Sequence, residues 1–422
     1  MTLNFPTTFR VRQSFPRQRV SDVPAAVHDE LAKLALGGSI RSGQTVAITA
    51  GSRGIANIGV ILRAVADFVR SLGGEPFLTP AMGSHGGATA EGQVALLGGL
   101  GVTEETCGCP IRSSMETVEI GQAAAGFPIY ADRHAQQADH VLVVGRVKLH
   151  TIFSGQFQSG LMKMLLIGLG KHDGAKIYHR ATMQIDFDEL VADIAPKVMA
   201  ACGVVAGLAV LENAYDETAR IEAIAPDKFI TREPELLRLA ETWFPKLPFS
   251  EVDLLLVDQI GKNISGSCMD TNVIGRKTSP TGEAHAALSQ VKRIAVRSLT
   301  PESHGNAIGI GMADFCLGSL VDDMDLQTTA TNGLTSGEPD KIKVPLRFAT
   351  DRQMLSAAFG TIGLTEPDES RLLWIRDTLH LTELECSAAY WPEAQQRDDL
   401  EILSEPRPLP WDNEGNLPEA TF

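Results

Sequence analysis

TVAITAGSRGIANIGVILRAVADFVRSLGG, the stretch from Thr45 to Gly74, indicates the fold class of this 422-residue chain. Its first six residues are apolar or β-branched, as in a buried strand, and they end in a Gly-Ser-Arg-Gly turn. Residues 56–72 then carry apolar side chains at helical spacing and stop at Gly73-Gly74. Strand, loop and helix in this order predict an α/β fold with a mainly parallel sheet.

The same unit recurs further along the chain. Residues 76–82 predict a second strand, which runs into the loop Gly83-Ser84-His85-Gly86-Gly87, and residues 90–97 predict the helix that follows. Residues 140–147 predict a third strand, which ends at Lys148-Leu149-His150. Three strands therefore carry polar residues at their carboxyl ends, the edge where ligands bind in parallel α/β sheets.

The rest of the chain predicts two α/β domains, residues 1–248 and 249–422, with a boundary at the proline-bearing stretch Pro245-Lys-Leu-Pro248. Further elements predicted in the first domain are a helix over 186–202, a strand over 205–212 and a helix over 233–244. Those predicted in the second domain are strands over 252–260, 293–297 and 307–310 and helices over 313–320 and 370–379. Beyond Ile402 the composition predicts an irregular tail on the surface.

Charge and composition exclude several classes of partner. The chain is 44% hydrophobic and 21% charged, an ordinary globular composition, and its formal charge is −15. Such a surface would repel a polyanion, so we expect neither nucleic acid nor an anionic membrane as partner. An anionic small molecule would need a local cluster of cations or backbone N–H groups to bind against that field.

The sequence also predicts a reducing, cytoplasmic location. No run of about eighteen apolar residues occurs, and residues 1–19 lack the apolar core of a secretory signal. The six cysteines are scattered, unlike a disulfide framework. Cys107 and Cys109 form a Cys-Gly-Cys triplet, but no second pair lies nearby, so ordinary turn residues are favoured over a soft metal site.

The segment from His150 to His179 is rich in glycine and in basic residues. Its glycines are Gly155, Gly160, Gly168, Gly170 and Gly174, and Lys163, Lys171 and His172 lie among them. Glycine marks backbone that bends sharply or approaches a ligand, although a plain packing turn fits such a run about as well. None of these runs matches a Walker lysine loop or a strict dinucleotide fingerprint. Histidine at the ligand edge of a sheet suits acid–base chemistry, which makes His85 and the histidines of this segment candidates.

Four motifs together resemble those of nickel-dependent lactate racemase and its homologues. They are TAGSRG, GSHGG, VGRVKLHTIFSGQFQSGLMKMLLIGLGKHDGAKIYH and GSCMDTNVIGRK, in this order and at similar intervals over roughly residues 40–280. The resemblance implies an active site in the cleft between two α/β domains. The first domain would bind the cofactor and carry out catalysis, and the second would cover the substrate.

The resemblance also implies roles for individual positions. Lys163 matches the lysine that holds, through a thioamide link, the nickel-pincer nucleotide (pyridinium-3-thioamide-5-thiocarboxylic acid mononucleotide with nickel). His179 matches the nickel ligand, and neutral imidazole suits nickel. His85 and His150 match the two catalytic histidines, and Arg53 matches the anion-binding arginine. The other residues expected beside the cofactor are Ser52, Gly160, Gly168 and Gly170.

The implied activity is that of an isomerase, a racemase or epimerase of a 2-hydroxy acid. One histidine takes the hydroxyl proton while hydride leaves for the cofactor ring, which gives a planar 2-keto acid. Return of the hydride to the opposite face, with the other histidine as acid, gives the other configuration. The proteins that make the cofactor would be partners of such an enzyme, and the sequence leaves the oligomeric state open.

Two departures from the family pattern bear on the covalent link and on the substrate. Ser159-Gly160-Leu161-Met162 precedes Lys163, where the family has two adjacent glycines and an arginine. In the second domain, Ile274 and Gly275 replace the family's tyrosine and glutamine. The wider site predicts a 2-hydroxy acid larger or more polar than lactate. Its expected contacts are Arg53, Asp270, Asn272, Arg276 and Lys277.

Two other functions fit the same residues. In a hydrolase or lyase, His85, His150 and His179 would ligate zinc or iron directly. In a binding protein, the glycine-rich loops would hold a metabolite without turnover.

Overall fold

The structure, a computed structural model, describes residues 4–277, 289–420 and 422. Its strands are β1 (Thr8–Gln13), β2 (Thr45–Ala50), β3 (Glu75–Pro80), β4 (Thr117–Gln122), β5 (Pro128–Asp132), β6 (His140–Arg146), β7 (Val204–Glu212), β8 (Thr218–Ile224), β9 (Glu251–Ile260), β10 (Gln290–Leu299), β11 (Phe315–Leu317), β12 (Leu346–Phe348), β13 (Leu372–Ile375), β14 (Glu383–Ser387) and β15 (Leu400–Ile402). Its α-helices are α1 (Val23–Ala32), α2 (Ile58–Ser71), α3 (Ala90–Gly99), α4 (Glu104–Cys107), α5 (Arg133–Gln137), α6 (Leu161–Lys163), α7 (Lys171–Ala181), α8 (Phe187–Ala201), α9 (Phe229–Trp243), α10 (Thr271–Ile274), α11 (Gly318–Asp322), α12 (Leu326–Ser336), α13 (Asp351–Phe359) and α14 (Trp391–Ala394). Short 3-10 turns are Leu36–Gly38, Gly86–Ala88, Pro226–Lys228, Pro301–Ser303, Ile310–Met312, Pro339–Ile342, Pro367–Glu369 and Ala388–Tyr390, and Met164–Gly168 is π-helical.

The chain folds as two compact units, residues 16–244 and residues 1–15 together with 245–422. The first unit contains a five-stranded sheet in the order β3-β2-β6-β7-β8, in which only β8 is antiparallel. Along β2, Ala47 packs on one side of the sheet, and Val46 and Ile48 pack on the other. Helices α1 and α2 supply the core on one side, and α8 and α9 supply it on the other. Burial on both faces explains why these strands are continuous apolar runs in the sequence.

The predicted elements of this unit are confirmed, with shifts of a few residues at their ends, and so is the α/β class. Helix α2 shows the physical reason. Its apolar residues recur at helical spacing and are buried against the sheet: Ile58, Ile61, Leu62, Val65, Ala66, Phe68 and Val69. Burial of one such side chain contributes about 1.5–3 kcal/mol relative to exposure, so the apolar stripe determines which face of the helix is buried.

The second unit contains an eight-stranded mixed sheet in the order β12-β11-β10-β9-β13-β14-β1-β15. Strands β9 to β13 pair in parallel, and β14, β1 and β15 pair antiparallel. Strand β1 therefore lies in the second unit, although the prediction placed it in the first domain. Phe9 and Val11 are buried there because β1 pairs with two strands near the carboxyl end of the chain. Pairing between distant segments leaves no local signal in the sequence.

Three predictions in the second unit are wrong. The strand predicted over 307–310 is a buried turn, in which Gly309 has φ of 104° and approaches Ser267. The helix predicted over 313–320 is instead β11 followed by the start of α11. The helix predicted over 370–379 contains β13, whose four residues are all buried between β9 and β14. A short apolar run does not by itself distinguish a buried strand from a helix.

The tail beyond Ile402 is irregular, as predicted, but it is also anchored in the second unit. Leu409 and Leu417 are buried, so the expectation of a surface position is only partly confirmed. The guanidinium of Arg297 forms ion pairs with Asp258 and Asp351 and donates to the carbonyl oxygens of Leu417 and Pro418. This buried network holds the tail against the sheet.

The structure bears on two expectations, the absence of a membrane-spanning segment and the absence of a disulfide framework. No helix among the described residues is long and apolar enough to cross a membrane. All six cysteines are buried free thiols. Cys107 and Cys109 belong to the core beside α2, and burial raises the pKa of Cys109 to about 11. The two thiols therefore have a packing role in this core, and the preference for ordinary residues over a soft metal site stays a prediction.

A buried ion pair connects the segments of the first unit that carry the candidate site. Lys171 Nζ lies 3.0 Å from Asp132 Oδ2, and both side chains have no exposed surface. The same ammonium donates to Pro80 O at the end of β3 and to Gln93 Oε1 at 3.2 Å. Burial lowers the pKa of Lys171, and the Asp132 carboxylate opposes that shift. The pair therefore joins the start of α7 to β5, to β3 and to α3.

We expect Lys171→Met to lower the free energy of unfolding by about 3–5 kcal/mol, because it leaves a buried carboxylate without its counter-ion. Denaturant unfolding followed by circular dichroism measures the loss. Lys33→Met is the control in the same unit, since Lys33 pairs with Glu30 on the surface and should cost less than about 1 kcal/mol. Equal losses of unfolding free energy in the two variants would show that the buried pair contributes no more to stability than the surface pair.

Candidate functional site

The candidate residues of the first unit lie at the carboxyl edge of its sheet, where the strand order reverses. In the sheet, β3 is the neighbour of β2 on one side, and β6 and then β7 lie on its other side. The switch point is therefore between β2 and β6. Ser52 and Arg53 follow β2, His85 follows β3, and His150 follows β6. Open α/β sheets bind ligands in the crevice at such a point.

The loop after β3 holds His85 against the loop after β2. Ser52 Oγ lies 2.6 Å from His85 Nδ1, and the His85 side chain is exposed. Gln93 Nε2 donates to Gly83 O at 3.0 Å and to His85 O at 3.3 Å. Gln93 Oε1 also accepts a hydrogen bond from Lys171 Nζ. Gln93 therefore connects the buried ion pair to the backbone of His85 through hydrogen bonds.

The loop after β6 is closed on itself and carries His150. Lys148 and Ser159 exchange both backbone hydrogen bonds, at 3.0 and 3.2 Å, so the residues between them form a closed loop. Asp188 of α8 accepts from the N–H groups of Gln156 and Phe157 and fixes the far side of the loop. This loop is therefore an ordered part of the site.

Phe153 is the ring around which three predicted site residues converge. His150 stacks on it at 4.5 Å between ring centroids, and Phe187 stacks on it at 4.1 Å. The His179 ring lies 5.8 Å away and nearly parallel, and Lys163 Nζ lies 5.9 Å from the ring centroid. His150, Lys163 and His179, which are far apart in sequence, are thus brought together at one aromatic side chain.

Lys163 lies among other cations. Burial and the charges of Arg53, Lys148 and Arg146 lower the pKa of Lys163 to about 7. Burial and Arg146 also lower the pKa of Arg53. Arg146 has its own counter-ion, Glu212, whereas neither Arg53 nor Lys163 has a hydrogen bond or ion pair with any residue that the structure describes. The site therefore concentrates positive charge in an acidic protein and leaves an amine in its nucleophilic form near neutral pH.

Lys163 and His179 lie on either side of a distortion in the helical segment. Leu169 N donates to Met164 O, which defines a π-helical turn, and Lys171 has a left-handed φ of 52°. Such turns occur often at functional sites. Burial and the nearby charge of Lys163 lower the pKa of His179 to about 4, so its imidazole is neutral and suited to a metal.

The predicted glycines have packing partners in the structure. A Cβ on Gly160 would collide with the Glu233 carboxylate, which accepts from Met162 N at 3.0 Å. A Cβ on Gly168 would lie 2.8 Å from Ala81 O, and one on Gly170 would collide with Leu166 O. Close packing thus explains these three glycines without a ligand, and their contact with a cofactor stays a prediction.

The candidates of the second unit have structural roles of their own. Asp270 caps α10 by accepting from Asn272 N at 2.9 Å, and both side chains are buried. Arg276 donates to Met312 O, Lys292 O and Asp314 Oδ2, the last at 2.6 Å. This arrangement is at odds with the predicted role of Arg276 as an anion contact, because its guanidinium already has a counter-ion. Lys277 is half-buried, and its predicted role is untested.

The replacement that was expected to widen the site does not do so within this unit. Ile274 has no exposed surface and packs in the core. Gly275 ends α10 with φ of 67°, where a Cβ would collide with Ser289 O. Glycine at this position is therefore explained by helix termination.

Among the described residues, no group of three or more His, Cys, Asp and Glu side chains is placed to hold a metal ion. The alternative in which His85, His150 and His179 ligate zinc or iron directly therefore has no ligand set in this part of the chain.

Sequence reasoning missed Phe153, Arg146 and Glu233. Phe153 lies three residues after His150, but an aromatic residue in a loop gives no signal until its neighbours are known. Arg146 ends β6 and Lys148 follows it, and a pair of cations after a predicted strand was a usable signal. Glu233 looked like an ordinary helix residue and is 1% exposed.

The chain is similar to known proteins in sequence over part of its length and in fold. Residues 23–188 match the family model of the lactate racemase N-terminal domain. The structure of the lactate racemase apoprotein from Thermoanaerobacterium thermosaccharolyticum matches with a TM-score of 0.54 at 13% identity, covering 88% of this chain and 98% of that chain. A Thermotoga maritima protein of known crystal structure gives a TM-score of 0.47 at 12% identity, covering 86% and 97%. No curated protein sequence matches.

The predicted resemblance to the lactate racemase family is thus confirmed over residues 23–188, and the match to the apoprotein establishes a similar fold. The segment that matches the family model contains every candidate residue of the first unit, from Ser52 to His179.

We expect Glu233→Gln to abolish a pH dependence of stability between about pH 4.5 and 7. Burial raises the pKa of Glu233 to about 7 from its ordinary value of 4.5. Between these values the folded state binds the Glu233 proton and the unfolded state does not, so the contribution of Glu233 to stability falls as pH rises, by at most about 3 kcal/mol. The lowered pKa of His179 acts in the opposite sense, so stability is compared between Glu233→Gln and wild type at each pH. Urea unfolding across this range measures the difference. A Glu241→Gln control on the same helix should keep the wild-type slope, and an unchanged slope in Glu233→Gln would contradict the assignment.

Proposed function

We propose that this chain, similar over residues 23–188 to the lactate racemase N-terminal domain, is an isomerase that interconverts the configurations of a 2-hydroxy acid. The observation that carries the proposal is the pair Arg53 and Lys163. Burial lowers the pKa of both side chains, and the charge of Arg53 lowers that of Lys163 further. Two cations in this position, with no counter-ion among the described residues, favour an anionic ligand between them. A nucleophilic amine, a neutral imidazole and further histidines at the same edge fit the chemistry of that family.

The residues of this site fit the nickel-pincer nucleotide that the resemblance implies. Lys163 supplies an amine for the thioamide link, and His179 supplies one neutral nitrogen ligand beside the same ring, Phe153. Arg53 and Lys148 supply positive charge for the phosphate of a mononucleotide. Because the nucleotide would contribute its own sulfur ligands, a single protein histidine suffices. When bound, this group would supply a reversible acceptor for hydride.

The positions of His85 and His150 support contact of both side chains with the hydroxyl group of a small acid. They follow β3 and β6, which lie on either side of β2. Adjacent strands are about 4.8 Å apart, so the two loops start about 10 Å apart, with room for a small acid above the end of β2. Arg53 follows β2 at the same edge of the sheet, where it would bind the carboxylate.

The proposal carries two further expectations: the producing cell makes the cofactor with dedicated proteins, and the enzyme works in the cytoplasm. The expectation of an acid larger or more polar than lactate loses its structural reason, because Ile274 is buried in the core and Gly275 ends α10. Of the expected substrate contacts, Arg53 is favoured because it has no partner among the described residues, and Arg276 is disfavoured because it pairs with Asp314. Asp270, Asn272 and Lys277 remain candidates from the second domain.

We expect Lys163→Ala to abolish covalent attachment of the nucleotide and His179→Ala to keep the nucleotide but lose nickel. Each variant removes one chemical bond to the cofactor. Protein made alongside the cofactor-biosynthesis proteins is examined by intact mass and by nickel analysis. Lys176→Ala and His172→Ala are matched controls, because both side chains are exposed on α7. An unmodified wild-type mass after loading, or full nickel in His179→Ala, would contradict the respective assignment.

We expect Arg53→Ala to raise the KM for at least one enantiomer of every 2-hydroxy acid substrate by about tenfold or more, since it removes the partner of the substrate carboxylate. Single-enantiomer acids are incubated with loaded protein and separated on a chiral column. Arg276→Ala is the control and should leave substrate preference unchanged. An unchanged KM in Arg53→Ala, or a change of substrate preference confined to Arg276→Ala, would overturn this account of the substrate contacts.

A further inference from the structure

His150 is held in one tautomer by the backbone of its own loop. The N–H groups of Ile152 and Phe153 both donate to His150 Nδ1, at 3.0 and 3.1 Å. A nitrogen that accepts two hydrogen bonds through its lone pair carries no proton. In the neutral ring the proton is therefore on Nε2.

The surroundings of the ring keep this arrangement in place. A flip of the imidazole would set a C–H group against two N–H donors and leave both donors without an acceptor. The ring is also stacked on Phe153, and His150 N donates to Gln158 Oε1 at 2.8 Å within the closed loop. The loop thus fixes both the orientation and the proton position of His150.

The Nδ1 of His85 contacts a side-chain hydroxyl group and not backbone N–H groups. Its Nδ1 lies 2.6 Å from Ser52 Oγ, and a hydroxyl group both donates and accepts. Ser52 therefore supports the ring with Nδ1 protonated or unprotonated. With the proton on Nδ1, the Nε2 of His85 is a base, a form that the backbone donors deny to His150.

We propose that the two histidines have unequal roles: His85 accepts and returns the hydroxyl proton at Nε2, and His150 acts only as a hydrogen-bond donor from Nε2. This inference rests on the proposed function and makes it more specific. When the substrate hydroxyl gives its proton to His85, His85 becomes imidazolium. The substrate oxygen becomes the carbonyl oxygen as the carbon gives up its hydride, for which the nickel-pincer nucleotide of the proposed function would supply the acceptor. His85 gives the same proton back when the hydroxyl forms again, and His150 keeps its Nε2 proton throughout.

A single base has a consequence for racemisation. If His85 serves both configurations, the oxygen stays near His85, and the planar keto acid turns about its carbonyl axis to present its other face. This turn exchanges the positions of the carboxylate and the other substituent, so Arg53 binds the carboxylate of only one enantiomer of each acid. His150 contributes by stabilising the negative charge on the substrate oxygen, as a neutral donor.

The tautomer is tested directly by ¹⁵N nuclear magnetic resonance of histidine-labelled full-length protein without cofactor. His150 is assigned by comparison with His150→Gln. We expect long-range proton–nitrogen correlations at neutral pH to show His150 with a protonated Nε2 and an unprotonated Nδ1. A protonated Nδ1 in His150 would overturn the proposal, and this result does not depend on racemase activity.

Loaded enzyme then tests the roles. Glutamine keeps an N–H donor near the position of Nε2 but is not a base. We expect His150→Gln to retain at least about tenfold more kcat than His150→Ala, and His85→Gln to be as inactive as His85→Ala. Equal loss in both His150 variants, with the cofactor fully loaded, would overturn the donor role. Absence of turnover in the loaded wild type with every acid would instead refute the proposed function, while the tautomer result would stand.

Discussion

The buried ion pair between Lys171 and Asp132 is the interaction on which the geometry of the site depends. Its ammonium reaches the end of β3 and, through Gln93, the backbone of His85. Lys171 also begins the helix that carries His179. A pair of charges out of water is stable only with close partners, so these segments can move relative to one another only at a large cost in free energy. The positions of His85 and His179 are therefore linked by one constraint.

Positive charge is the second constraint. The chain is strongly acidic, yet burial and the charges of Arg53, Lys148 and Arg146 lower the pKa of Lys163 to about 7. Crowded cations destabilise a fold unless a ligand or a counter-ion compensates for them. Glu212 compensates for Arg146, and for Arg53 and Lys163 the natural compensation is an anionic ligand. The same crowding prepares Lys163 for chemistry as an amine.

The loop after β6 shows how backbone determines chemistry. Its closure by Lys148 and Ser159 brings two N–H groups to the inner nitrogen of His150, and its Phe153 supports the ring. Two histidines that look equivalent in the sequence thereby differ in what they can do with a proton. The glycines of the next segment, which resembled a ligand-binding run, are required by close contacts with Glu233, Ala81 and Leu166.

The sequence by itself determined the α/β class, the elements of the first unit and the residues of its sheet edge, because apolar periodicity and the polar ends of strands are local properties. It did not determine that β1 joins the second sheet, that residues 372–375 form a central strand, or that Arg276 pairs with Asp314. Nor could it identify Phe153 as the common neighbour of His150, Lys163 and His179. Pairing partners, burial and the proton position on an imidazole depend on atoms brought together from distant segments, so only the tertiary structure decided them.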